Sequence, residues 1–194
     1  MWKCSFVSAS CCFLFFFLVT PMIPSIEALS VDPINTTCKQ CASKYINFDY
    51  YFCLTSLQTV PVSHVTDVPG LAIIAMELAL GNATATISTI ENMLSGGAFD
   101  PFARQYLLDC LELYSDAVSM LEQSAAAFLE GQFHTANLLL SAVMEAAVTC
   151  EVGFSEKEGE ITPLTEENYD LFELSDIALC IINLLSLGLP SVLC

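Results

Sequence analysis

Cysteines are the residues of this chain whose type and spacing most clearly indicate chemistry. The interval from Cys38 to Cys53 suits a disulfide across a short helical hairpin, and the interval from Cys110 to Cys150 suits a disulfide between two long helices. Disulfides persist in oxidising compartments, and closing loops of these lengths stabilises a fold by roughly 3 to 4 kcal/mol in the chain-entropy model. The spacing therefore predicts two structural disulfides in a secreted protein.

Three further cysteines have less clear roles. Cys41, Cys180 and Cys194 bring the total after residue 28 to seven, an odd number, so at least one thiol stays free or pairs with another molecule. Cys180 lies within an apolar run, where we expect a buried, reduced thiol. Cys38 and Cys41 form a C-x-x-C pair, but no second ligand pair accompanies them, so we predict neither zinc binding nor redox activity.

Residues suited to catalysis are few and isolated. His64 and His134 are the only histidines, and the sequence contains no nucleophile elbow, zinc-protease helix or glycine-rich phosphate loop. Carboxylate pairs such as Glu166 with Glu167 fall where acids complement a helix dipole, so a solvated surface is their simpler interpretation. We therefore predict no catalytic residue, no metal site and no cofactor.

The elements that position the cysteines follow an N-terminal targeting segment. Lys3 provides a basic start, residues 11–19 are apolar, and Ala28 offers a cleavage site, so we expect residues 1–28 to be a cleaved signal peptide. Prolines interrupt the apolar run before it reaches the roughly 20 residues of a membrane span. Residues 29–194 would then form one extracellular domain with its own core.

The chain is strongly acidic. Its formal net charge is -17 at pH 7, with 22 acidic residues against five basic ones. Such a field repels nucleic acid and attracts a basic protein partner. The simpler alternative is that the charge only keeps an apolar-rich chain soluble. In either case we expect no nucleic-acid binding.

Helical periodicity divides the domain into a hairpin and four long helices. Two short helices over 34–45 and 50–57 are expected to form the hairpin within 32–58. The long helices are predicted to begin at Asp67, after the cap signal Asp100, near Phe133, and at the cap residue Thr165. Short turns make neighbouring helices antiparallel. The prediction is an all-α, up-and-down four-helix bundle over 67–189 with an N-terminal disulfide-linked α-hairpin.

The sequence also carries signals for covalent modification. Asn35 and Asn82 lie in sequons, so both are candidate glycosylation sites. The apolar stretch over 177–194 is compatible with a lipid-anchor signal. Its apolar positions stay in phase with Leu171 and Leu174, however, which favours the fourth wall of the bundle. We therefore expect no stable membrane insertion.

The sequence around the cysteines resembles the plant inhibitors of invertases and pectin methylesterases. The similar stretches are YFCL at 51–54, DC at 109–110, YSDA at 114–117, VTCE at 148–151 and LSDI at 174–177. The resemblance covers essentially the whole domain. It implies a noncatalytic protein of the apoplast that binds a cell-wall carbohydrate-active enzyme 1:1 and blocks its substrate cleft. A noninhibitory structural or binding protein is the further alternative.

The resemblance leaves two target enzymes. In the invertase-inhibiting branch a Pro-Lys-Phe turn enters the target's active site, and this chain has Gly131-Gln132-Phe133 there, with only the Phe in common. In the pectin methylesterase branch a threonine directly before the fourth framework cysteine belongs to the contact face, and Thr149 stands at that place. The simpler alternatives are a helix threonine that bonds back to its own turn and a core aromatic at Phe133. We favour pectin methylesterase as the target, with acid invertase as the alternative.

Overall fold

The structure, a computed structural model, describes residues 32–97, 99–155 and 162–188. These residues form six α-helices and one 3₁₀ turn at Pro61–His64, with no strand among them. The predicted signal peptide at 1–28 and the last cysteine, Cys194, lie outside the described residues.

The N-terminal hairpin consists of α1 (Pro33–Lys44) and α2 (Tyr50–Gln58). Aspartates cap both helices: Asp32 Oδ1 accepts a hydrogen bond from the Ile34 amide at 3.1 Å, and Asp49 Oδ1 accepts one from the Phe52 amide at 2.9 Å. These caps satisfy amides that have no partner within their own helix. The two helices therefore start at defined residues despite their short length.

The four long helices are α3 (Val68–Gly96), α4 (Pro101–Leu129), α5 (Phe133–Ser155) and α6 (Thr165–Gly188). Each packs against two neighbours in the cyclic order α3, α4, α5, α6, so α3 and α5 lie diagonally across the bundle. The predicted all-α fold, a four-helix bundle with an N-terminal hairpin, is confirmed. The helices enclose fully buried side chains that include Leu71, Ile90, Leu107, Leu121, Leu140 and Leu171.

Two of the three predicted long-helix caps are present. Asp67 Oδ1 accepts from the Gly70 amide at 3.0 Å, and Asp100 Oδ1 accepts from the Phe102 amide at 2.8 Å. Thr165 is instead the first residue of α6, and its hydroxyl donates to Glu151 at 2.9 Å. The prediction that Thr165 caps this helix is wrong, because a carboxylate on α5 lies within reach of its hydroxyl.

Three disulfides join the elements. Cys38–Cys53 closes the hairpin, with Cα atoms 5.9 Å apart, and Cys110–Cys150 joins α4 to α5, with Cα atoms 5.1 Å apart. Both predicted disulfides are therefore present in the structure.

The third disulfide corrects a prediction. Cys180 on α6 bonds to Cys41 on α1 across a sequence separation of 139, with Cα atoms 6.0 Å apart. The prediction of a reduced thiol at Cys180 is wrong, although both side chains are fully buried as the apolar surroundings of Cys180 indicated. The hairpin docks on α6 and brings the two cysteines together, so the hairpin is covalently tied to the bundle.

Three bundle helices, α3, α5 and α6, are long and apolar enough to cross a membrane, judged by length and composition alone. Between a third and a half of the most apolar stretch of each is buried inside the bundle. Core packing therefore accounts for much of their apolar content, and the absence of stable membrane insertion stays a prediction.

Candidate functional site

The C-terminal half of α5 presents an exposed surface beside a disulfide. We call Glu145, Val148, Thr149 and Val152 the α5 ridge; their spacing of three and four residues puts them on one helix face. Val148 and Val152 are 41% and 55% exposed. The next residue after Thr149, Cys150, is buried and bonded to α4. The ridge therefore combines exposed apolar groups with a backbone that is covalently fixed to the neighbouring helix.

The hydroxyl of Thr149, unlike those of Thr55, Thr84 and Thr89, makes no hydrogen bond to its own helix, and the exposed Thr135 on α5 likewise makes none among the described residues. Thr55 and Thr84 donate to carbonyls four residues earlier, both at 2.8 Å, and Thr89 does so at 3.1 Å. The exposed Thr149 hydroxyl has no such bond among the described residues. The simpler interpretation, a threonine bonded back to its own turn, does not hold in this structure, and the hydroxyl is available to a partner.

A groove between α4 and α5 runs along one side of the ridge, with a volume of about 380 Å³. Its walls include Tyr106, Asp109, Cys110 and Leu113 from α4 and Glu145, Val148, Thr149, Cys150, Val152 and Gly153 from α5. We call it the α4–α5 groove. It places two carboxylates, one from each helix, beside the predicted contact residue Thr149.

Gly153 allows the end of this groove to form. A Cβ at this position would lie 2.7 Å from Cδ1 of Tyr106, far inside contact distance. The Tyr106 ring lies against Phe102 and Phe154, with ring centroids 4.6 and 5.8 Å away. The aromatic side chains and the missing Cβ together let α4 approach α5 closely at this level.

A second groove, between α5 and α6, runs along the other side of the ridge and also has a volume of about 380 Å³. We call it the α5–α6 groove. Its walls include Ala147, Val148, Glu151, Thr165, Asn168, Tyr169, Phe172 and Glu173. Val148 lines both grooves, so the ridge projects between two recesses.

A buried polar network fixes α5 against its neighbours below the ridge. The Tyr114 hydroxyl on α4 donates to Asn168 Oδ1 on α6 at 2.8 Å, and Asn168 Nδ2 donates to Glu151 Oε2 on α5 at 2.7 Å. Burial, and secondarily the charge of Glu167, raises the pKa of Tyr114 above its ordinary value. The phenol therefore stays protonated and continues to donate. A connected network of this kind holds one arrangement of the three helices.

The turn at Gly131, Gln132 and Phe133 follows the C-terminal end of α4, and two of its residues complete that helix end. The Gln132 amide donates to Ala127 O at 2.8 Å and the Gly131 amide donates to Phe128 O at 3.0 Å, which is a Schellman helix end. Gly131 has φ +75°, a left-handed conformation that favours glycine. The backbone amides of Gly131 and Gln132 therefore already have hydrogen-bond acceptors within the fold.

Phe133 packs its ring against Phe128, with centroids 5.5 Å apart. It lines a pocket of about 580 Å³ at this end of the bundle together with Pro69, Phe128, Leu129, Gly131, Leu184, Leu185 and Gly188. Sixteen residues of α5 separate Phe133 from Thr149, which corresponds to about 24 Å along the helix. The structure therefore does not bring the predicted contact residues together: Thr149 and the turn belong to different parts of the surface.

An acidic cluster lies where the hairpin meets α6. The Tyr169 hydroxyl donates to Asp49 Oδ2 at 3.1 Å, and the carboxylate of Glu173, which is only 8% exposed, lies near Asp49. Burial, followed by the charges of Asp176 and Asp49, raises the pKa of Glu173 to about 7. Burial also raises the pKa of Asp176, whereas the Phe52 amide lowers that of Asp49.

Sequence reasoning missed most of these residues. The ridge could have been found from the spacing of Glu145, Val148 and Val152 around Thr149, because it is the helix face opposite the buried alanines of α5. Asp109 and Glu173 carried no comparable signal.

Among the described residues, no group of three or more His, Cys, Asp or Glu side chains is placed to hold a metal ion.

Both predicted glycosylation sites lie on helices. Asn35 Oδ1, in the first turn of α1, accepts a hydrogen bond from Tyr50 at 3.0 Å. Asn82 lies in the middle of α3, and its Oδ1 is buried without a hydrogen-bond partner among the described residues. Modification of either residue stays a prediction. A glycan on Asn82 would leave the ridge uncovered, because α3 is diagonal to α5.

Comparison with known proteins gives one consistent family. The family described as "Plant invertase/pectin methylesterase inhibitor" matches residues 32–181. A "Putative invertase inhibitor" of Platanus acerifolia is 37% identical over 92% of this chain and 98% of its own length. A "Pectinesterase inhibitor" of Actinidia deliciosa is 32% identical over 69% of this chain and 71% of its own.

A solved structure shares the fold. The crystal structure of a mutant form of a pectin methylesterase inhibitor from Arabidopsis superposes with a TM-score of 0.66 at 24% identity, and the match covers 79% of this chain and 97% of that one. At this identity the likeness concerns the fold alone.

Proposed function

Because this chain belongs to the plant invertase/pectin methylesterase inhibitor family, we propose that it blocks the substrate cleft of pectin methylesterase with the α5 ridge, as a secreted 1:1 inhibitor in the cell wall. Relatives in the family carry the names of inhibitors and not of enzymes, which supports the prediction that this chain has no catalytic activity of its own. The partner of the proposed complex is therefore a protein.

The position of the exposed Thr149 hydroxyl on the α5 ridge is the observation that carries the choice of pectin methylesterase. It stands on a ridge fixed by the Cys110–Cys150 disulfide, with exposed Val148 beside it and a groove on either side. A rigid, convex surface loses little conformational freedom when it enters a cleft. The amides of Gly131 and Gln132, by contrast, are occupied by the helix end that they form.

Acid invertase is the second candidate target. It is favoured by the 37% identity to the Platanus protein, whose name refers to invertase. Phe133 is the residue of this chain that would serve such a target, since it is the one residue shared with the Pro-Lys-Phe turn. In that case the contact would centre on the pocket at the end of the bundle.

Two threonines on α5 separate the candidates. Thr149→Tyr adds bulk to the ridge, and Thr135→Tyr adds the same bulk to an exposed position about 21 Å away, beside the turn. The purified variants and the unmodified protein would be titrated against a pectin methylesterase and an acid invertase, with circular dichroism as the check on folding.

We expect the unmodified protein to abolish pectin methylesterase activity at a 1:1 ratio. Thr149→Tyr should weaken inhibition at least tenfold, and Thr135→Tyr should change it less than twofold. The reverse order of sensitivity, with inhibition of invertase only, would establish the second candidate. Inhibition of neither enzyme would leave a noninhibitory binding protein.

A further inference from the structure

The α4–α5 groove has the chemistry of a recess for a positively charged side chain. We propose that it receives one arginine or lysine side chain of the target enzyme, held between the carboxylates of Asp109 and Glu145. This inference rests on the proposed function. It names the chemical group of the target enzyme that would lie in the groove when the ridge contacts the enzyme.

The size and walls of the groove suit a single long side chain. Its volume of about 380 Å³ is near the lower end of the range for small-ligand sites, so it holds one side chain and not a further helix or strand. Tyr106, Leu113 and Val152 offer apolar surface to an aliphatic stem.

The two carboxylates face the groove without a lysine or arginine of the described residues bonded to them. Helices α5 and α6 contain no lysine or arginine. On α4 the single basic residue is Arg104, and its Nη1 donates to the carbonyl of Leu94 on α3 at 3.1 Å, away from α5. Asp109 Oδ1 accepts only a neutral amide bond, from Gln105 at 3.0 Å. Within the part of the chain that the structure describes, both carboxylates are therefore open to a cation from a partner.

The α5–α6 groove is a poorer match for a cation. Its carboxylate Glu151 already accepts hydrogen bonds from Thr165 at 2.9 Å and Asn168 at 2.7 Å. Its other carboxylate, Glu173, is buried in the seam with the hairpin. Charge complementarity therefore selects the groove on the α4 side of the ridge.

A charge-matched pair of double variants tests the recess on the enzyme. Asp109→Asn with Glu145→Gln removes two charges from the groove. Glu77→Gln with Glu91→Gln removes two charges from exposed positions on α3, across the bundle diagonal. Dissociation constants for pectin methylesterase would be measured by calorimetry at physiological salt, after thermal melting has shown that both variants fold.

We expect the groove variant to bind at least tenfold more weakly and the α3 variant to stay within about twofold of the unmodified protein. Equal losses in both variants would show that only the overall charge matters and would overturn the proposal. No loss in either would overturn it as well.

A small probe tests the groove without the enzyme and so separates this inference from the proposed function. N-acetyl-arginine methylamide would be titrated into labelled protein, with the uncharged citrulline analogue as control, while amide chemical shifts are followed. Saturable shifts over 106–113 and 145–153 with arginine only, absent from the groove variant, are the expected result. Shifts spread over all acidic surfaces, or none at all, would overturn the proposal even if pectin methylesterase is inhibited.

Discussion

Gly153 shows how one missing side chain shapes the candidate site. The Tyr106 ring occupies the space that a Cβ on Gly153 would take, and this close approach forms the end of the α4–α5 groove. Gly81 on α3 offers a contrast, because a Cβ there would meet nothing within 4 Å. The same substitution at the two glycines therefore has opposite expected effects.

We predict that Gly81→Ala raises the free energy of unfolding by up to about 1 kcal/mol, since alanine is the better helix former. Gly153→Ala should instead lower it by about 1 to 3 kcal/mol, because the Tyr106 ring must move out of a packed position. Chemical denaturation measures both values. Stabilisation of equal size at both glycines would show that the ring moves freely and that Gly153 does not define the groove.

Glu173 makes the stability of the fold depend on pH. Its pKa is about 7 in the folded protein, against 4.5 for an ordinary glutamate, because it is buried beside Asp176 and Asp49. The folded state therefore holds this proton more tightly than the unfolded chain does. Stability is greatest below pH 4.5 as far as this group is concerned, and it falls as pH rises through 7.

Replacing this carboxyl by an amide isolates its effect. The free energy of unfolding should fall by up to about 3 kcal/mol between pH 4.5 and pH 8 in the unmodified protein. It should change much less in Glu173→Gln, which keeps the shape but cannot ionise. Glu166→Gln, on the exposed first turn of α6, is the matched control and should keep most of the slope. A slope that is identical in all three proteins would contradict the assignment to Glu173.

At the scale of elements, the hairpin is attached to the bundle mainly through α6. The Cys41–Cys180 disulfide, the Tyr169–Asp49 hydrogen bond and the contact of Phe52 with Tyr169, with ring centroids 5.5 Å apart, all join these parts. A disulfide between elements so distant in sequence removes freedom chiefly from the unfolded chain.

Removing this disulfide should loosen the hairpin selectively. In Cys41→Ala with Cys180→Ala, we expect hydrogen exchange to speed up more in α1 and α2 than in α4 and α5. The free energy of unfolding should fall by about 2 to 5 kcal/mol. Cys38→Ala with Cys53→Ala is the comparison, because it opens the hairpin internally and leaves its tie to α6. Unchanged exchange in α1 and α2 of the first variant would show that packing alone holds the hairpin.

The sequence predicted the elements better than their contacts. Asp67 and Asp100 mark helix starts locally, and Gly131 marks a helix end, because capping depends on neighbouring residues. The bond between Cys41 and Cys180 depends on how the hairpin docks on α6, which no local pattern encodes. The grooves likewise depend on the distance between packed helices, so the sequence indicated Thr149 but not Asp109.

At the scale of the whole molecule, the disulfides hold the elements in place and the acidic charge favours an oppositely charged partner. Three disulfides and a buried polar network hold the hairpin and bundle together, and the strongly acidic chain carries its exposed ridge on helix α5, which lacks lysine and arginine. Opposite charge on a target would steer association and would be screened by salt. The molecule has the properties expected of a rigid protein that fills a cleft in an oppositely charged partner.

Hydrogen exchange of this protein in the presence of pectin methylesterase tests the central claim most directly, because it reports which face the enzyme covers. We expect added protection over 145–153 of α5 and 106–113 of α4, with α3 unchanged. Protection confined to 129–136, at the opposite end of α5, would contradict the claim that the α5 ridge enters the cleft.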